Sequence, residues 1–184
     1  MKYNYPVTIE NGLGEILIFK SCETENGEEK LIVENFVKPG AGPVMHTHLL
    51  QDEALTVESG ELTYQVLGEE PKTAQAGETA VFKRGVPHKF VNSGTTELHC
   101  TGYIKPANTI IFYLSAIFEA QKKSGKPQPA LMDAAYLIHR YKSEYDLPEL
   151  PLFVKKFMMP AVYFFGRLFG RYQHFKNAPE PLKK

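Results

Sequence analysis

The chain has 184 residues, of which 43% are hydrophobic and 23% charged, as is typical of a soluble globular protein with one core domain, with or without a helical appendage. Two cysteines are too few for a disulfide framework, the polar N-terminus predicts no secretory signal, and no long apolar run predicts a membrane span, so we expect a cytoplasmic protein. The net charge is zero, but the charges are unevenly distributed. Residues 1–106 contain 9 Lys and Arg and 15 Asp and Glu, whereas residues 107–184 contain 12 Lys and Arg and 6 Asp and Glu. No nucleic-acid-binding signature accompanies the basic part, so we expect no nucleic-acid partner.

The first part of the chain, from Val7 to Ile104, predicts one short strand after another. The predicted strands are GEILIFKS, EKLIVENFVK, VMHTHLL, EALTVESG, ELTYQVLG, ETAVFKRG, HKFVNSG and ELHCTGYI. Turns rich in Gly, Pro, Asn or Glu separate them. Short strands at such regular spacing favour an all-β sandwich or barrel.

Four side chains in this β-rich part are of the type that binds metals. His46 and His48 are two residues apart on a predicted strand, so both imidazoles point to the same face. Glu53 follows after four residues, enough for a tight turn that returns a carboxylate from the next strand. His88 lies between turn signals and the strand HKFVNSG. Three imidazoles and one carboxylate suit a divalent transition metal such as Fe, Mn, Ni or Zn, rather than a thiolate-type structural site.

The spacing of these residues resembles the first motif of the cupin family. In GAGPVMHTHLLQDEALTVESG, residues 40–60, the family's order of glycine, two histidines, glutamate and glycine is kept with gaps of five, one, four and six residues. The matching positions are Gly40, His46, His48, Glu53 and Gly60. All the ligand positions of this motif are therefore present.

The second cupin motif is also recognisable, after a gap of 16 residues. Its matching positions are Gly77, Gly85, His88 and Asn92. Lys83 stands where the family usually has proline, at a turn position that is not a ligand. The resemblance spans residues 30–105 and implies an RmlC-like double-stranded β-helix, which is a jelly-roll barrel. It also implies that His46, His48, Glu53 and His88 hold a metal ion inside one end of that barrel.

Strand alternation predicts which other residues share the metal pocket. Val44 and Leu50 should lie beside the histidines, and Leu55 beside Glu53, so the cavity should be apolar around a polar centre. Phe90 falls beside His88 but suits the barrel core equally well. His99 is expected to point out of the barrel, because its neighbours form the more apolar face.

Beyond Lys105 the pattern becomes helical. NTIIFYLSAIFEAQKKSG predicts a helix with Asn108 as its N-cap and Gly125 as its stop, covering one side of the barrel. ALMDAAYLIHRYKSEYD predicts a second helix and LFVKKFMMPAVYFFGRLFGRY a third, with prolines between them. We therefore predict a cupin β-barrel domain at residues 1–106 and a helical extension at residues 107–184, packed on the barrel or on a dimer partner.

The predicted third helix has an unusually apolar stripe, and Pro160 should kink or split it. The residues of the stripe are Val154, Phe157, Met158, Ala161, Val162, Phe165, Leu168 and Phe169. Four basic residues gather on the other side: Lys155, Lys156, Arg167 and Arg171. We expect this face to pack on protein, either the chain's own barrel or the mate in a homodimer. The alternative is contact with a membrane surface.

Four protein ligands leave one or two positions of a five- or six-coordinate ion open, as catalytic sites require. The resemblance implies a small-molecule enzyme, of dioxygenase type as in quercetinase-like cupins or a Lewis-acid isomerase or decarboxylase. Glu53 is the only carboxylate expected at the centre and is the candidate catalytic base. No other cofactor is predicted. A non-catalytic cupin that binds or senses a small ligand is the alternative, because this barrel carries many chemistries.

Overall fold

The structure is a computed structural model that describes residues 3–182, and it is a mainly β fold with helices at the C-terminal side. The strands are β1 (Val7–Glu10), β2 (Glu15–Glu25), β3 (Glu28–Val37), β4 (Thr47–His48), β5 (Asp52–Ser59), β6 (Leu62–Val66), β7 (Lys72–Ala74), β8 (Thr79–Phe82), β9 (His88–Asn92), β10 (Leu98–Lys105) and β11 (Tyr145–Asp146). The helices are α1 (Ile110–Ser124), α2 (Leu131–Arg140) and α3 (Met159–Leu168). All eight predicted strands are present, although VMHTHLL contributes only β4, and β1, β7 and β11 are additional.

The strands form the antiparallel jelly roll that the sequence predicted. One sheet has the order β1-β2-β3-β10-β5-β8, a second has the order β7-β6-β9, and β4 pairs with β11. A backbone bridge between His46 and His88 connects the segment before β4 to β9. His46 of the first motif is therefore tied by main-chain hydrogen bonds to His88 of the second.

Alternating burial along the strands builds the barrel interior. On β3, for example, Leu31, Val33 and Val37 are buried while their neighbours are half-buried. One core cluster lies within the barrel and includes Leu55 and Phe90. These two residues therefore belong to the apolar core.

A second core cluster joins the barrel to the helices. It contains Leu17 and Phe19 of β2 together with Ile110 and Tyr113 of α1. The predicted stop of α1 is confirmed, because Gly125 caps the helix in the left-handed conformation. The predicted N-cap is wrong. Asn108 has a φ of +46°, and Thr109 occupies the cap position.

The second predicted helix is too long, and the reason is tertiary. It ends at Arg140, and Tyr145 and Asp146 leave the helical path to pair with His48 and Thr47. The Tyr145 hydroxyl accepts a hydrogen bond from the amide of Gln51 at 3.1 Å. Strand pairing and burial beside β4 therefore override the helical periodicity of this segment.

The third predicted helix is interrupted before Pro160. A π-helical turn over Val154–Met158 leads into α3 and accommodates the hydrogen bond that proline does not donate. Phe157, Phe165 and Leu168 on the predicted apolar stripe are 64%, 53% and 65% exposed, so the chain's own barrel does not cover this face. Within residues 3–182, no helix combines the length and the apolar character needed to cross a membrane.

Candidate metal centre

The structure brings together the four residues that the sequence singled out. His46 precedes β4, His48 lies on it, Glu53 opens β5, and His88 opens β9. One potential ligand atom from each side chain lies within 4.8 Å of all the others. Metal–ligand bonds of about 2.0–2.2 Å place the donor atoms around one ion up to about 4.4 Å apart. A small contraction would therefore let all four side chains bind a single ion.

Main-chain hydrogen bonds set the positions of the histidines. The backbone N–H of His46 donates to the carbonyl of His88 at 2.9 Å, and the reverse bond is 2.8 Å. Gly85, with a φ of +81°, donates its N–H to the His48 carbonyl at 2.7 Å. This is the turn that the second motif predicted, and Lys83 begins it by accepting a bond from Val86. As predicted, Lys83 lies outside the four-residue cluster.

Two of the imidazoles have their tautomer fixed by backbone carbonyls. His46 Nδ1–H donates to the carbonyl of Val44 at 2.8 Å, and His88 Nδ1–H donates to that of Val86 at 2.8 Å. Nε2 of each neutral ring is then left with a lone pair. This arrangement is the usual support for metal-binding histidines, because it orients the ring and makes Nε2 more basic.

The contact between His88 and Glu53 tests whether the cluster suits a cation. His88 Nε2 lies 3.1 Å from Glu53 Oε2, and His48 Nε2 lies 3.5 Å from the same oxygen. His88 Nδ1–H donates to a carbonyl, so Nε2 of a neutral ring would direct its lone pair at the carboxylate oxygen; either a proton on Nε2 or a bound cation removes that repulsion. Among residues 3–182, His48 Nδ1 is buried without a hydrogen-bond partner. The donor set therefore fits a divalent metal ion.

The electrostatics of the cluster favour the protonation states that metal ligands need. Desolvation, helped by the neighbouring histidines, lowers the pKa of His46 to about 3, and desolvation also lowers the pKa of His48. For Glu53, burial alone would raise the pKa, but the hydrogen bond with His88 and the nearby imidazoles lower it to about 2. Neutral imidazole and ionised carboxylate are the forms that bind metals.

Aromatic side chains from both core clusters hold the histidine rings. Phe82 of the barrel core stacks on His88 with ring centroids 4.1 Å apart. Tyr145 of the second core meets His48 edge-on at 5.7 Å. The candidate centre therefore lies where the barrel core meets the core shared with the helices.

A cavity of about 170 Å³ lies against the two histidines of the first motif. Its opposite wall comes from α1 and α2 and is largely apolar. Residues of that wall include Ile110, Tyr113, Leu114, Ile117, Phe118, Leu137 and Ile138. Helix α1 thus lines the cavity beside the histidines in addition to packing against β2 in the second core. Of the predicted pocket residues, Val44 lines this cavity, whereas Leu50, Leu55 and Phe90 do not.

Sequence reasoning missed a second carboxylate at this cavity. Glu15 lines it, and its side chain is buried at the start of β2 on the same face as Leu17 and Phe19. Burial raises the pKa of Glu15 to about 7, with the Glu53 charge adding to the shift and a hydrogen bond with Asn35 opposing it. A glutamate beside a Gly-rich turn resembles a surface residue. The signal that could have identified it was its alternation with two apolar residues.

His99 lies where the sequence placed it, away from the centre. Its ring stacks on Phe36 at 4.4 Å, and its Nε2 contacts Glu34 at 2.9 Å. Its neighbours Leu98 and Cys100 are buried in the barrel core. This histidine is therefore a useful control for the four-residue cluster.

Comparison with known proteins gives one family and a set of distant folds. The family model described as cupin domain matches residues 36–102, a span that contains all four residues of the cluster. A search of curated proteins gives no match.

Three solved structures illustrate the fold similarity. An RmlC-like cupin from Shewanella frigidimarina is 20% identical, with 60% of this chain and 94% of that chain covered and a TM-score of 0.47. An uncharacterized conserved protein with a double-stranded β-helix domain from Klebsiella pneumoniae is 23% identical, with 59% and 84% covered and a TM-score of 0.42. KdgF from Halomonas sp. is 17% identical, with 53% and 85% covered and a TM-score of 0.46. The family match over both motifs agrees with the jelly-roll topology, so this chain contains a cupin domain at residues 36–102.

Proposed function

We propose that this chain is a metal-dependent enzyme of dioxygenase type that acts on a small, largely apolar organic molecule. The observation that carries the proposal is that two members of the four-residue cluster, His46 and His48, line an apolar cavity. Four protein ligands leave at least one position of a five- or six-coordinate ion for substrate. A redox-active divalent metal held there would supply one-electron chemistry between dioxygen and the substrate.

The helical wall of the cavity binds the substrate and excludes water. Ile117 and Phe118 of α1 and Leu137 of α2 line the same cavity as His46 and His48. Such a wall favours an apolar ring or chain, while the polar group of the substrate points to the ligand cluster. The low dielectric there strengthens every charge interaction with the cluster.

Glu53 and Glu15 have different roles in the proposed acid–base chemistry. Glu53 is held ionised by its imidazole neighbours and serves as a ligand; its predicted role as a catalytic base remains part of this proposal. Glu15 has a pKa raised to about 7, so near neutral pH its carboxyl group carries a proton part of the time. A carboxyl group in that state, at the edge of the same cavity, is suited to give a proton to a substrate oxygen.

Oxygen uptake by protein loaded with Fe²⁺ tests this function directly. We expect uptake with at least one member of a panel of small phenols and enols. Glu15→Gln should keep the metal and reduce the rate by roughly 10²–10⁴-fold, the usual contribution of a positioned acid or base. His99→Ala, a histidine change outside the cavity, is the matched control and should not change the rate.

The alternatives give different results in the same experiment. Product formation without oxygen uptake would favour Lewis-acid isomerase or decarboxylase chemistry. A ligand that is retained by the protein and never converted would favour a binding or sensor cupin. Either result would contradict the dioxygenase assignment.

A further inference from the structure

The helical segment at the C-terminal side presents a continuous apolar surface to solvent. Seven large side chains of this segment are each between 53% and 70% exposed. They are Leu152, Phe153, Phe157, Phe164, Phe165, Leu168 and Phe169, and we call them the aromatic face. Single exposed apolar residues are normal on protein surfaces, but a contiguous group of this size marks an interaction site.

The aromatic face is held in place by the other side of the same helix. Met159 and Gly166 of α3 are buried. Tyr163 stacks on Tyr172 with ring centroids 5.5 Å apart, and Tyr136 of α2 packs 5.9 Å from Tyr163. A side chain at position 166 would clash with the Tyr172 ring, so the helix and the segment after it are closely packed. The fold therefore presents the aromatic face on an anchored helix.

The charge of this segment is of one sign. Residues 151–179 contain five Lys and Arg and no Asp or Glu. Lys155 is neutralised by Asp146 at 2.9 Å. Among the ion pairs of residues 3–182, none involves Lys156, Arg167 or Arg171, and Arg167 and Arg171 are exposed. Free positive charge therefore lies next to the aromatic face.

We propose that the aromatic face docks on the surface of an anionic lipid membrane, with the helix lying in the plane of the interface. Phe and Leu side chains on one side and Lys and Arg beside them are what such a helix needs, because the apolar groups enter the acyl region while the cations bind lipid phosphates. A symmetric contact with a second copy would place the same basic residues of both chains near each other. Charge complementarity therefore favours an anionic lipid surface over a second copy of the chain.

Co-sedimentation of the full chain with vesicles tests this proposal. We expect binding to vesicles of equal parts phosphatidylglycerol and phosphatidylcholine, weaker binding to phosphatidylcholine alone, and release by salt. Lys156→Glu with Arg167→Glu should weaken binding to the anionic vesicles by about thirty-fold or more, since each basic residue near the surface contributes a factor of about five. Lys123→Glu with Lys126→Glu changes the net charge equally on another exposed surface and should have little effect.

A second pair of variants separates lipid binding from dimerisation. Phe157→Ser with Phe169→Ser alters two side chains that are 64% and 70% exposed, so the fold should survive. We expect this protein to lose vesicle binding and to keep the oligomeric state of the parent in sedimentation velocity. Absence of binding to anionic vesicles, or binding that none of these variants weakens, would overturn the proposal. The proposal would also be overturned if the parent is a dimer that does not bind lipid and the protein with Phe157→Ser and Phe169→Ser is a monomer.

Discussion

The candidate metal centre and the aromatic face differ in where their side chains lie and in what supports them. At the centre, polar groups are buried, and each histidine is oriented by backbone or aromatic neighbours within the chain. On the aromatic face, apolar groups stand in solvent, and the chain supplies only the support behind them. The spacing of the four residues in the sequence therefore predicted a cluster that the fold assembles from this chain alone. An amphipathic stripe predicted only that a partner exists.

The largest expected effect is at the metal centre. His46→Ala with His48→Ala removes two of the four ligands, and metal affinity should fall by at least about 100-fold, since loss of a supporting neighbour alone costs about 10–100-fold. Metal-induced stabilisation in thermal melting should disappear, while circular dichroism should show an intact barrel. His99→Ala should behave as the parent protein. Unchanged metal-induced stabilisation in the double variant would show that the ligands are elsewhere.

The next comparison is between two phenylalanines of the C-terminal segment. Phe175 is 8% exposed within the second core, whereas Phe169 is 70% exposed on the aromatic face. Phe175→Ala should lower the free energy of unfolding by about 3–5 kcal/mol, and Phe169→Ala should change it by less than about 0.5 kcal/mol. Urea denaturation measures both. A large loss for Phe169→Ala would mean that the aromatic face is buried within the protein, for example in a dimer.

Glu15 should make stability depend on pH. Burial raises the pKa of Glu15 from its ordinary value of 4.5 to about 7, so the protonated group is compatible with the fold and ionisation opposes it. Its contribution to stability is fully present below about pH 4.5 and is lost as pH rises through about 7, by up to about 3 kcal/mol. Glu15→Gln should therefore gain stability relative to the parent between pH 5 and pH 8. Metal-stripped protein is used, because metal binding adds its own pH dependence. If the two proteins differ in free energy of unfolding by the same amount at pH 5 and at pH 8, Glu15 has an ordinary pKa.

The smallest effect is expected at Lys83. This residue begins the turn before β9, lies outside the cluster, and stands where the cupin motif usually has proline. Lys83→Pro should leave metal content unchanged and alter stability by less than about 0.5 kcal/mol. Impaired metal loading in Lys83→Pro would show that the turn supports the ligands.

Local spacing explains which features were predictable. His46, His48 and Glu53 lie within eight residues, and His88 follows at the distance set by the second motif, so one alternation rule and one resemblance found the whole cluster. Glu15 was missed because its role depends on the packing of β2 against distant strands and helices. The pairing of Tyr145 with His48 was missed for the same reason, since it joins residues far apart in the chain.

The uncovered helix shows the limit of periodicity in another way. The stripe through Phe157 and Phe165 was visible in the sequence, as was the irregularity at Pro160. Periodicity cannot distinguish a face that packs on the chain's own core from one that meets another surface. That distinction required the packing of Tyr163 and Gly166 on the opposite side of α3.

The most direct test of the central claim is elemental analysis of the protein purified without an affinity tag. If His46, His48, Glu53 and His88 form one site, the parent should hold one ion of Fe, Mn, Ni or Zn per chain, and the His46→Ala with His48→Ala protein should hold none. The identity of the ion would also indicate which reaction type to test first. A parent protein that stays metal-free after incubation with each of these ions, or a double variant with the same metal content as the parent, would contradict the account.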